Sequence, residues 1–207
     1  MARRVLHDEY FKRAKAEGYL ARSAYKLLQI QEAKRLIRTG QRVLDLGCAP
    51  GAWLQVAAEI VGPRGVVVGV DLQPVLHSFP DHVHHLVADI YEADPLALRG
   101  PSGRLFDVVL SDMAPNTIGH GDDLLSARLC ARVLEVLPDL LAPGGNFTMK
   151  VLEGGEQPRL LRDTRALFAT VKAYKPPASR DVSREIYIVG HGFAPTPAQV
   201  RSAPLDS

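Results

Sequence analysis

The strongest fold signal is RVLDLGCAPGAW, residues 42–53. Within it a short apolar run ends in Asp45, and a turn built from small residues follows. The residues that shape this turn are Gly47, Pro50 and Gly51. Apolar residues at helical spacing come next, so the stretch predicts a strand, a tight loop and a helix, in the order that opens a nucleotide-binding α/β unit.

The loop differs from two common nucleotide motifs, because it has neither the GxGxxG spacing nor the GxxxxGK[ST] of a P-loop. The next two apolar runs each end in an acid, Asp71 and Asp89. An acid about twenty residues past the loop is placed to accept hydrogen bonds from a ribose diol. Three strands ending in Asp at one sheet edge therefore predict a bound adenosine-type group; the alternative is that these residues only cap helices and turns.

Outward from this stretch, apolar runs and amphipathic segments alternate along the chain. Helices are predicted at residues 3–17, 22–38, 52–61, 122–141 and 158–168. Strands are predicted at residues 42–47, 66–72, 85–90, 106–110, 146–152, 170–175 and 185–190. This alternation favours an α/β, Rossmann-like, seven-stranded and mostly parallel doubly wound sheet with helices on both faces. The last strand should run antiparallel, since residues 176–184 leave no room for a helical crossover.

Several local signals refine these elements. Ser23 is predicted to cap the second helix and Thr39-Gly40 to end it. The long fourth helix contains Pro138 and should be followed by a turn at Pro143-Gly144-Gly145. A loop is expected from Thr117 to Gly121.

The length of 207 residues predicts one domain, residues 1–193, with a Pro-rich tail at 194–207. The N-terminus has no apolar signal-peptide core and no stretch is long enough to span a membrane, so we expect a cytoplasmic protein. We also expect a monomer. Two cysteines make no disulfide framework.

Charge is distributed unevenly. Residues 1–42 carry eleven basic against four acidic side chains, a net charge of +7, whereas the rest of the chain carries −5. A basic helical segment on a mildly acidic body is typical of a polyanion-binding surface. The alternative is a solvated helical face.

Four ionisable residues stand at strand ends or inside an apolar helix stripe: Lys26, Asp112, Lys150 and Glu185. In a doubly wound sheet the carboxyl ends of the strands converge on one crevice. If the four converge, Lys150 is a candidate proton acceptor for a hydroxyl. Lys26 would then balance the charge of the site or hold a phosphate, and the two carboxylates would orient the lysines and the hydroxyl. The alternative is a structural ion-pair network.

Five stretches make the chain resemble the FtsJ/RrmJ family of S-adenosylmethionine-dependent RNA 2′-O-ribose methyltransferases. They are SAYKL around Lys26, DLGCAPGAW, SDMAPN around Asp112, FTMKVLEG around Lys150 and KPPASRDVSREIYIV around Glu185. The likeness runs from about Tyr10 to Phe193. Cys48 and Ala52 depart from the family's usual loop residues, and Glu153-Gly154-Gly155 departs from its usual run after the lysine.

The resemblance implies a class I methyltransferase that uses S-adenosylmethionine and modifies a uridine ribose in large-subunit ribosomal RNA. It implies that Lys26, Asp112, Lys150 and Glu185 form the catalytic set, with Lys150 as proton acceptor. It also implies cofactor contacts, which are Gly51, Trp53, Asp71, Asp89 and Asp112. Together with Asp45, Gly47 and Pro50 of the loop, these are the predicted cofactor-binding residues.

Other functions remain as alternatives. A non-catalytic RNA-binding or ribosome-assembly factor could keep the same fold, and a small-molecule methyltransferase would not need the basic segment. His82, His84 and His85 form a cluster without evident partner ligands, so no metal site is predicted. Ser111 lacks the GxSxG elbow of a hydrolase.

Overall fold

The computed structural model describes residues 2–100, 102–115, 122–179 and 183–196, with the backbone alone for residues 2–8 and 122–123. Its helices are α1 (Ala2–Glu17), α2 (Ala24–Lys34), α3 (Ala52–Val61), α4 (Asp122–Leu140) and α5 (Gln157–Arg165). Its strands are β1 (Arg42–Leu46), β2 (Val66–Asp71), β3 (Val83–Val87), β4 (Phe106–Ser111), β5 (Leu141–Leu152), β6 (Phe168–Tyr174) and β7 (Glu185–Phe193). The predicted loop from Thr117 to Gly121 and the tail after residue 196 lie outside the described residues.

The strands form one seven-stranded sheet in the order β3-β2-β1-β4-β5-β7-β6. Strands β1 to β5 pair in parallel, and β7 runs antiparallel to both β5 and β6. The predicted sheet, including its antiparallel last strand, is confirmed. Because β1, β2 and β4 are parallel neighbours, their carboxyl ends share one edge of the sheet, and the strand order reverses at β1.

Helices cover both faces of the sheet. One buried apolar cluster joins α2 and α3 to it, with Leu27 and Leu54 at 0% exposure. A second cluster joins α4 and α5 to the opposite face, with Leu137 and Leu160 equally buried. Each such leucine contributes about 1.5–3 kcal/mol by leaving water, so the two layers hold the sheet edge in a fixed position.

The second helix ends earlier than predicted. It stops at Lys34, Arg35 adopts a left-handed conformation at φ 52°, and the Arg35 N–H bonds to the Gln31 carbonyl. The Gln31 side chain then donates to the Ile37 carbonyl at 2.7 Å and accepts from the Ile37 N–H at 2.9 Å, in place of helical bonds. The prediction of an end at Thr39-Gly40 is therefore wrong, and Ser23 makes no capping bond through its side chain.

Three strands also begin earlier than predicted, and one of them, β6, begins at Phe168, inside the range predicted for the fifth helix, which ends at Arg165. β3 covers residues 83–87, so Asp89 follows the strand by two residues and does not end it. β5 begins at Leu141, and the predicted turn at residues 143–145 lies inside it, where the register jumps between Phe106 and Val108 of β4. Since the chain bulges without leaving the sheet, Pro and Gly do not interrupt the strand.

Within the described ranges, none of the helices has both the length and the apolar character needed to cross a lipid bilayer.

Candidate active site

The loop after β1 is tied to the end of β2. The N–H groups of Gly47 and Cys48 donate to the Val70 carbonyl at 2.8 and 3.2 Å, and the Ala49 N–H donates to Asp71 Oδ2 at 2.9 Å. Gly47 has φ 81°, and a Cβ there would lie 2.6 Å from Met113 Cγ. Only glycine meets both conditions without strain, so the sequence fixes the close approach of this loop to the segment after β4.

A cavity of about 410 Å³ opens at this sheet edge. The strand ends and the segments after them form its wall, which includes four of the predicted cofactor residues. These four are Gly47, Asp71, Asp89 and Asp112. Leu72, Ile90, Tyr91 and Met113 add apolar surface. Carboxylates among apolar side chains in a pocket of this size suit a small polar molecule with a flat apolar part.

The two acids at the far side of the cavity already hold backbone groups. Asp71 accepts the N–H groups of Ala49 and Gln73, one on each oxygen, and Asp89 Oδ1 accepts the Tyr91 N–H at 2.8 Å. A carboxylate oxygen has more than one acceptor site. Each acid can therefore orient its loop and still bind a hydroxyl or an amine.

The other predicted cofactor residues do not line this cavity. Pro50 is exposed and Gly51, at φ 113°, precedes α3, where a Cβ would lie 2.9 Å from Phe79 Cζ. Trp53 is 3% exposed, donates its indole N–H to the Ser23 carbonyl at 2.9 Å and packs against Tyr187. Asp45 is fully buried beneath the loop.

Asp45 is a buried carboxyl without a hydrogen-bond partner among the described residues, since neither oxygen is paired. Burial raises its pKa well above the usual carboxyl range, and the nearby charges of Asp112 and Asp71 add to the shift. A carboxyl that lacks a partner at this position can accept a hydrogen bond, or donate one when it is protonated, as a polar group approaches.

Asp45→Asn should stabilise the ligand-free protein at neutral pH. A raised pKa means that the folded state keeps a proton that the unfolded chain releases. The contribution of Asp45 to the free energy of unfolding is therefore favourable below the ordinary carboxyl pKa. It is lost as the pH rises towards the folded-state pKa of Asp45. We expect a gain of about 1 kcal/mol at pH 7 and no gain below about pH 4, measured by urea unfolding. Asp81→Asn, at an exposed carboxyl, is the control; a gain independent of pH would contradict the assignment.

The structure brings the four ionisable residues together. Lys26 Nζ lies 2.8 Å from Glu185 Oε2, and Lys150 Nζ lies 4.0 Å from Glu185 Oε1. Lys150 Nζ also donates to the Asp112 backbone carbonyl at 2.7 Å and lies 3.2 Å from Asp112 Oδ1. The contacts thus form one line in which amines and carboxylates alternate, from Lys26 through Glu185 and Lys150 to Asp112. Asp112 also belongs to the cavity wall.

Local charge sets the state of Glu185. Burial acts to raise its pKa, but the Lys26 charge, the Lys26 hydrogen bond and the Lys150 charge outweigh burial, so the pKa is lowered. Its side chain is 26% exposed, whereas those of the two lysines are below 10%. Glu185 therefore stays a carboxylate at neutral pH and holds both amines in place.

Tyr187 is a member of the site that the sequence reasoning missed. Its hydroxyl donates to Asp112 Oδ1 at 2.6 Å, its ring lies 5.9 Å from Lys26 Nζ, and the residue is fully buried. Burial first, then the Asp112 charge, raise its pKa well above the ordinary tyrosine value, so it remains a donor. Its position was readable, because residues i and i+2 of a strand share a face and Tyr187 follows Glu185 by two.

A network around Glu153 fixes the start of β7. The Glu153 N–H donates to the Arg184 carbonyl at 2.7 Å, and the Arg184 guanidinium donates to the Glu153 carbonyl through both Nε and Nη2. Lys175 Nζ bridges Glu153 Oε2 at 3.2 Å and the Ser183 carbonyl at 2.8 Å. These bonds join the ends of β5 and β6 to the residue before Glu185, so they set the position of its carboxylate.

Lys175→Met should lower turnover about threefold to tenfold, because a small displacement of Glu185 misaligns both amines. The cofactor KM should not change, since Lys175 lies away from the cavity wall. Steady-state kinetics with varied cofactor test this, with Arg162→Met on α5 as the control. A raised KM for the acceptor substrate with normal turnover would instead show a substrate contact.

Comparison with known proteins gives one consistent family. The family described as FtsJ-like methyltransferase matches residues 19–193. The protein named Ribosomal RNA large subunit methyltransferase E from Syntrophobacter fumaroxidans is 47% identical over 188 residues, which cover 90% of this chain and 95% of that protein. The protein of the same name from Halorubrum lacusprofundi is 47% identical over 195 residues, which cover 92% of this chain and 72% of that protein.

Solved structures agree with the fold. A crystal structure described as a ribosomal RNA methyltransferase from Plasmodium falciparum superposes with a TM-score of 0.75 at 25% identity, covering 86% of this chain and 100% of that chain. Fibrillarin from Methanococcus jannaschii, with a TM-score of 0.59 at 15% identity, covers 77% of this chain and 69% of its own, and shares the fold alone. The described residues contain no group of three His, Cys, Asp or Glu side chains arranged to hold a metal ion.

Proposed function

Because this chain belongs to the FtsJ-like methyltransferase family, we propose that it methylates a ribose 2′-hydroxyl of a uridine in large-subunit (23S-type) ribosomal RNA, with Lys150 as proton acceptor. The observation that carries the proposal is the line of two amines and two carboxylates that meets the cavity wall at Asp112. A methyltransferase acting on an unprotonated ring nitrogen would not require a proton acceptor.

The residues of the cavity fit S-adenosylmethionine. A volume of about 410 Å³ lies in the range of small-molecule pockets. Asp71 would hold the ribose diol, Asp89 the polar edge of the adenine, and Leu72 and Ile90 its faces. The carboxyl of Asp45 has no partner among the described residues and lies outside the cavity wall, beneath the loop. When bound, S-adenosylmethionine supplies a methyl group on a sulfonium, whose sulfur would leave as a neutral thioether.

Lys150 would take the proton of the attacking hydroxyl. Its amine already donates to the Asp112 carbonyl and contacts both carboxylates. These oxygens stabilise the ammonium that forms as the proton arrives, and Lys26 keeps Glu185 anionic and fixed. Positioned groups of this kind contribute about 10²–10⁴-fold to a rate. The rest of the catalysis is alignment of the donor and the hydroxyl.

RNA as the substrate is supported by charge and by chemistry. The first 42 residues carry a net charge of +7, which favours a polyanion. The 2′-hydroxyl that Lys150 would deprotonate exists in RNA and not in DNA. A small-molecule substrate would not need the basic segment.

Methyl transfer is tested with tritiated S-adenosylmethionine and ribosomal subunits from cells that lack this gene. We expect label in large-subunit RNA and none in small-subunit RNA, with free RNA and intact particles compared in parallel. Binding to the large subunit without label would contradict the proposal and favour a non-catalytic assembly factor.

A further inference from the structure

Three cations lie together at the sheet edge opposite the cavity. We call them the α2–β6 cationic cluster, which consists of Lys34, Arg38 and Lys172. Lys34 is the last residue of α2, Arg38 follows it by four residues, and Lys172 lies on the edge strand β6. Arg38 and Lys172 are exposed and Lys34 is partly buried, with its Nζ 4.8 Å from the Tyr174 ring centroid. None of the three forms an ion pair with another described residue.

The charges of all three residues act on the same side chain, His191. The pKa of His191 on β7 is lowered, first by burial and then by the charges of Lys34, Arg38 and Lys172. His191 pairs with Thr170, two residues from Lys172 on the same face of β6. The nearest acid in sequence, Glu32, stands two positions before Lys34, about 200° around the helix. The positive field at this end of α2 is therefore not neutralised locally.

The residues beneath the α2–β6 cationic cluster are held in place by hydrogen bonds. Asn146 donates to the Leu36 carbonyl at 2.8 Å, so its amide oxygen faces His191 Nδ1 at 3.1 Å. This orientation makes Nδ1 the protonated nitrogen of the neutral ring. Gln31 holds Ile37, the residue before Arg38, through two further bonds. A preorganised cationic surface loses little entropy when it binds an anion.

Strand β7 runs from the catalytic set to the α2–β6 cationic cluster, so its length gives the distance between them. Glu185 begins that strand and His191 is six residues further, roughly 20 Å at about 3.4 Å per residue. A stacked nucleic-acid strand rises about 3.4 Å per nucleotide. A strand whose target ribose lies at Lys150 therefore reaches the cluster about six nucleotides away.

We propose that the α2–β6 cationic cluster binds the phosphate backbone of the RNA strand that flanks the methylated nucleotide. The inference rests on the proposed function for the identity of the RNA, but the surface and the distance come from the structure. Phosphates are favoured over an acidic peptide because Lys34 and Arg38 belong to the basic N-terminal segment that supports RNA as the substrate. The cluster would hold the strand in register while the catalytic set selects the ribose.

RNA binding tests the inference independently of methyl transfer. Fluorescence anisotropy measures Kd for fluorescein-labelled single-stranded RNAs of about four and about twenty nucleotides. The variant is Lys34→Gln/Arg38→Gln/Lys172→Gln. The matched control is Arg159→Gln/Arg162→Gln/Arg165→Gln on α5, which removes the same charge from the opposite layer.

We expect the cluster variant to bind the long RNA at least about tenfold more weakly and to lose about 2–3 units of the slope of log K against log salt. The short RNA should bind as it does to wild type, and turnover at saturating RNA should be unchanged. An unchanged Kd for the long RNA, or an equal loss of affinity in the α5 control, would overturn the inference.

The two proposals fail separately. If wild type transfers no methyl group but the cluster variant alone loses RNA affinity, the proposed function falls and the cluster stands. If methyl transfer is normal and both variants bind RNA equally, the cluster inference falls alone.

Discussion

Lys150→Met is expected to lower methyl transfer about 10³-fold or more while the protein still binds S-adenosylmethionine. Methionine fills the space of the lysine stem but cannot accept a proton from the hydroxyl. The cavity wall does not include Lys150, so cofactor affinity should stay within about twofold.

The measurement is single-turnover transfer from tritiated S-adenosylmethionine to saturating large-subunit RNA, with cofactor Kd from calorimetry. Removing one member of a buried ion pair can cost about 3–5 kcal/mol, so thermal unfolding must show that the variant is folded. Lys26→Met is the comparison, because Lys26 contacts Glu185 and not Asp112. We expect a smaller loss for Lys26→Met; equal losses would make Lys150 part of the charge balance and not the proton acceptor.

Asp71→Ala is expected to weaken cofactor binding about 100-fold. Hydrogen bonds to a charged group contribute about 1.5–3 kcal/mol each, and Asp71 would accept from the ribose diol. The substitution also releases the Ala49 and Gln73 N–H groups, which hold the loop after β1 and the segment after β2. Both effects act on the same wall of the cavity.

Calorimetry with S-adenosylhomocysteine checks this without turnover. Asp81→Ala, which removes an exposed carboxyl outside the cavity, should bind as wild type does. An unchanged Kd for Asp71→Ala would move the ribose site away from the end of β2, and Asp89 would be the next acid to replace.

Much of the fold was readable because its elements are regular. The all-buried strand β1, the small-residue loop and the apolar face of α3 predict a parallel sheet edge. Parallel strands then bring Asp112 and Lys150 to one edge without knowledge of the contacts. Strand order alone does not bring Lys26 and Glu185 to this edge, since one comes from a helix outside the sheet order and the other from the antiparallel strand.

The features that the sequence did not predict depend on contacts between distant residues. The end of α2 follows from the Gln31 side chain replacing helical bonds at Ile37. The raised pKa of Asp45 follows from full burial beside two other acids. The bonds between Glu153, Lys175 and Arg184 join three strand ends that are far apart in sequence. No local spacing rule encodes such contacts.

The position of the methyl group on the nucleotide tests the central claim most directly. Large-subunit RNA from cells lacking this gene is labelled by the purified protein with tritiated S-adenosylmethionine and then digested with alkali. Alkaline cleavage requires a free 2′-hydroxyl, so a 2′-O-methylated nucleotide stays in a dinucleotide. The account predicts label in an alkali-stable dinucleotide that contains uridine, and label in mononucleotides would contradict it.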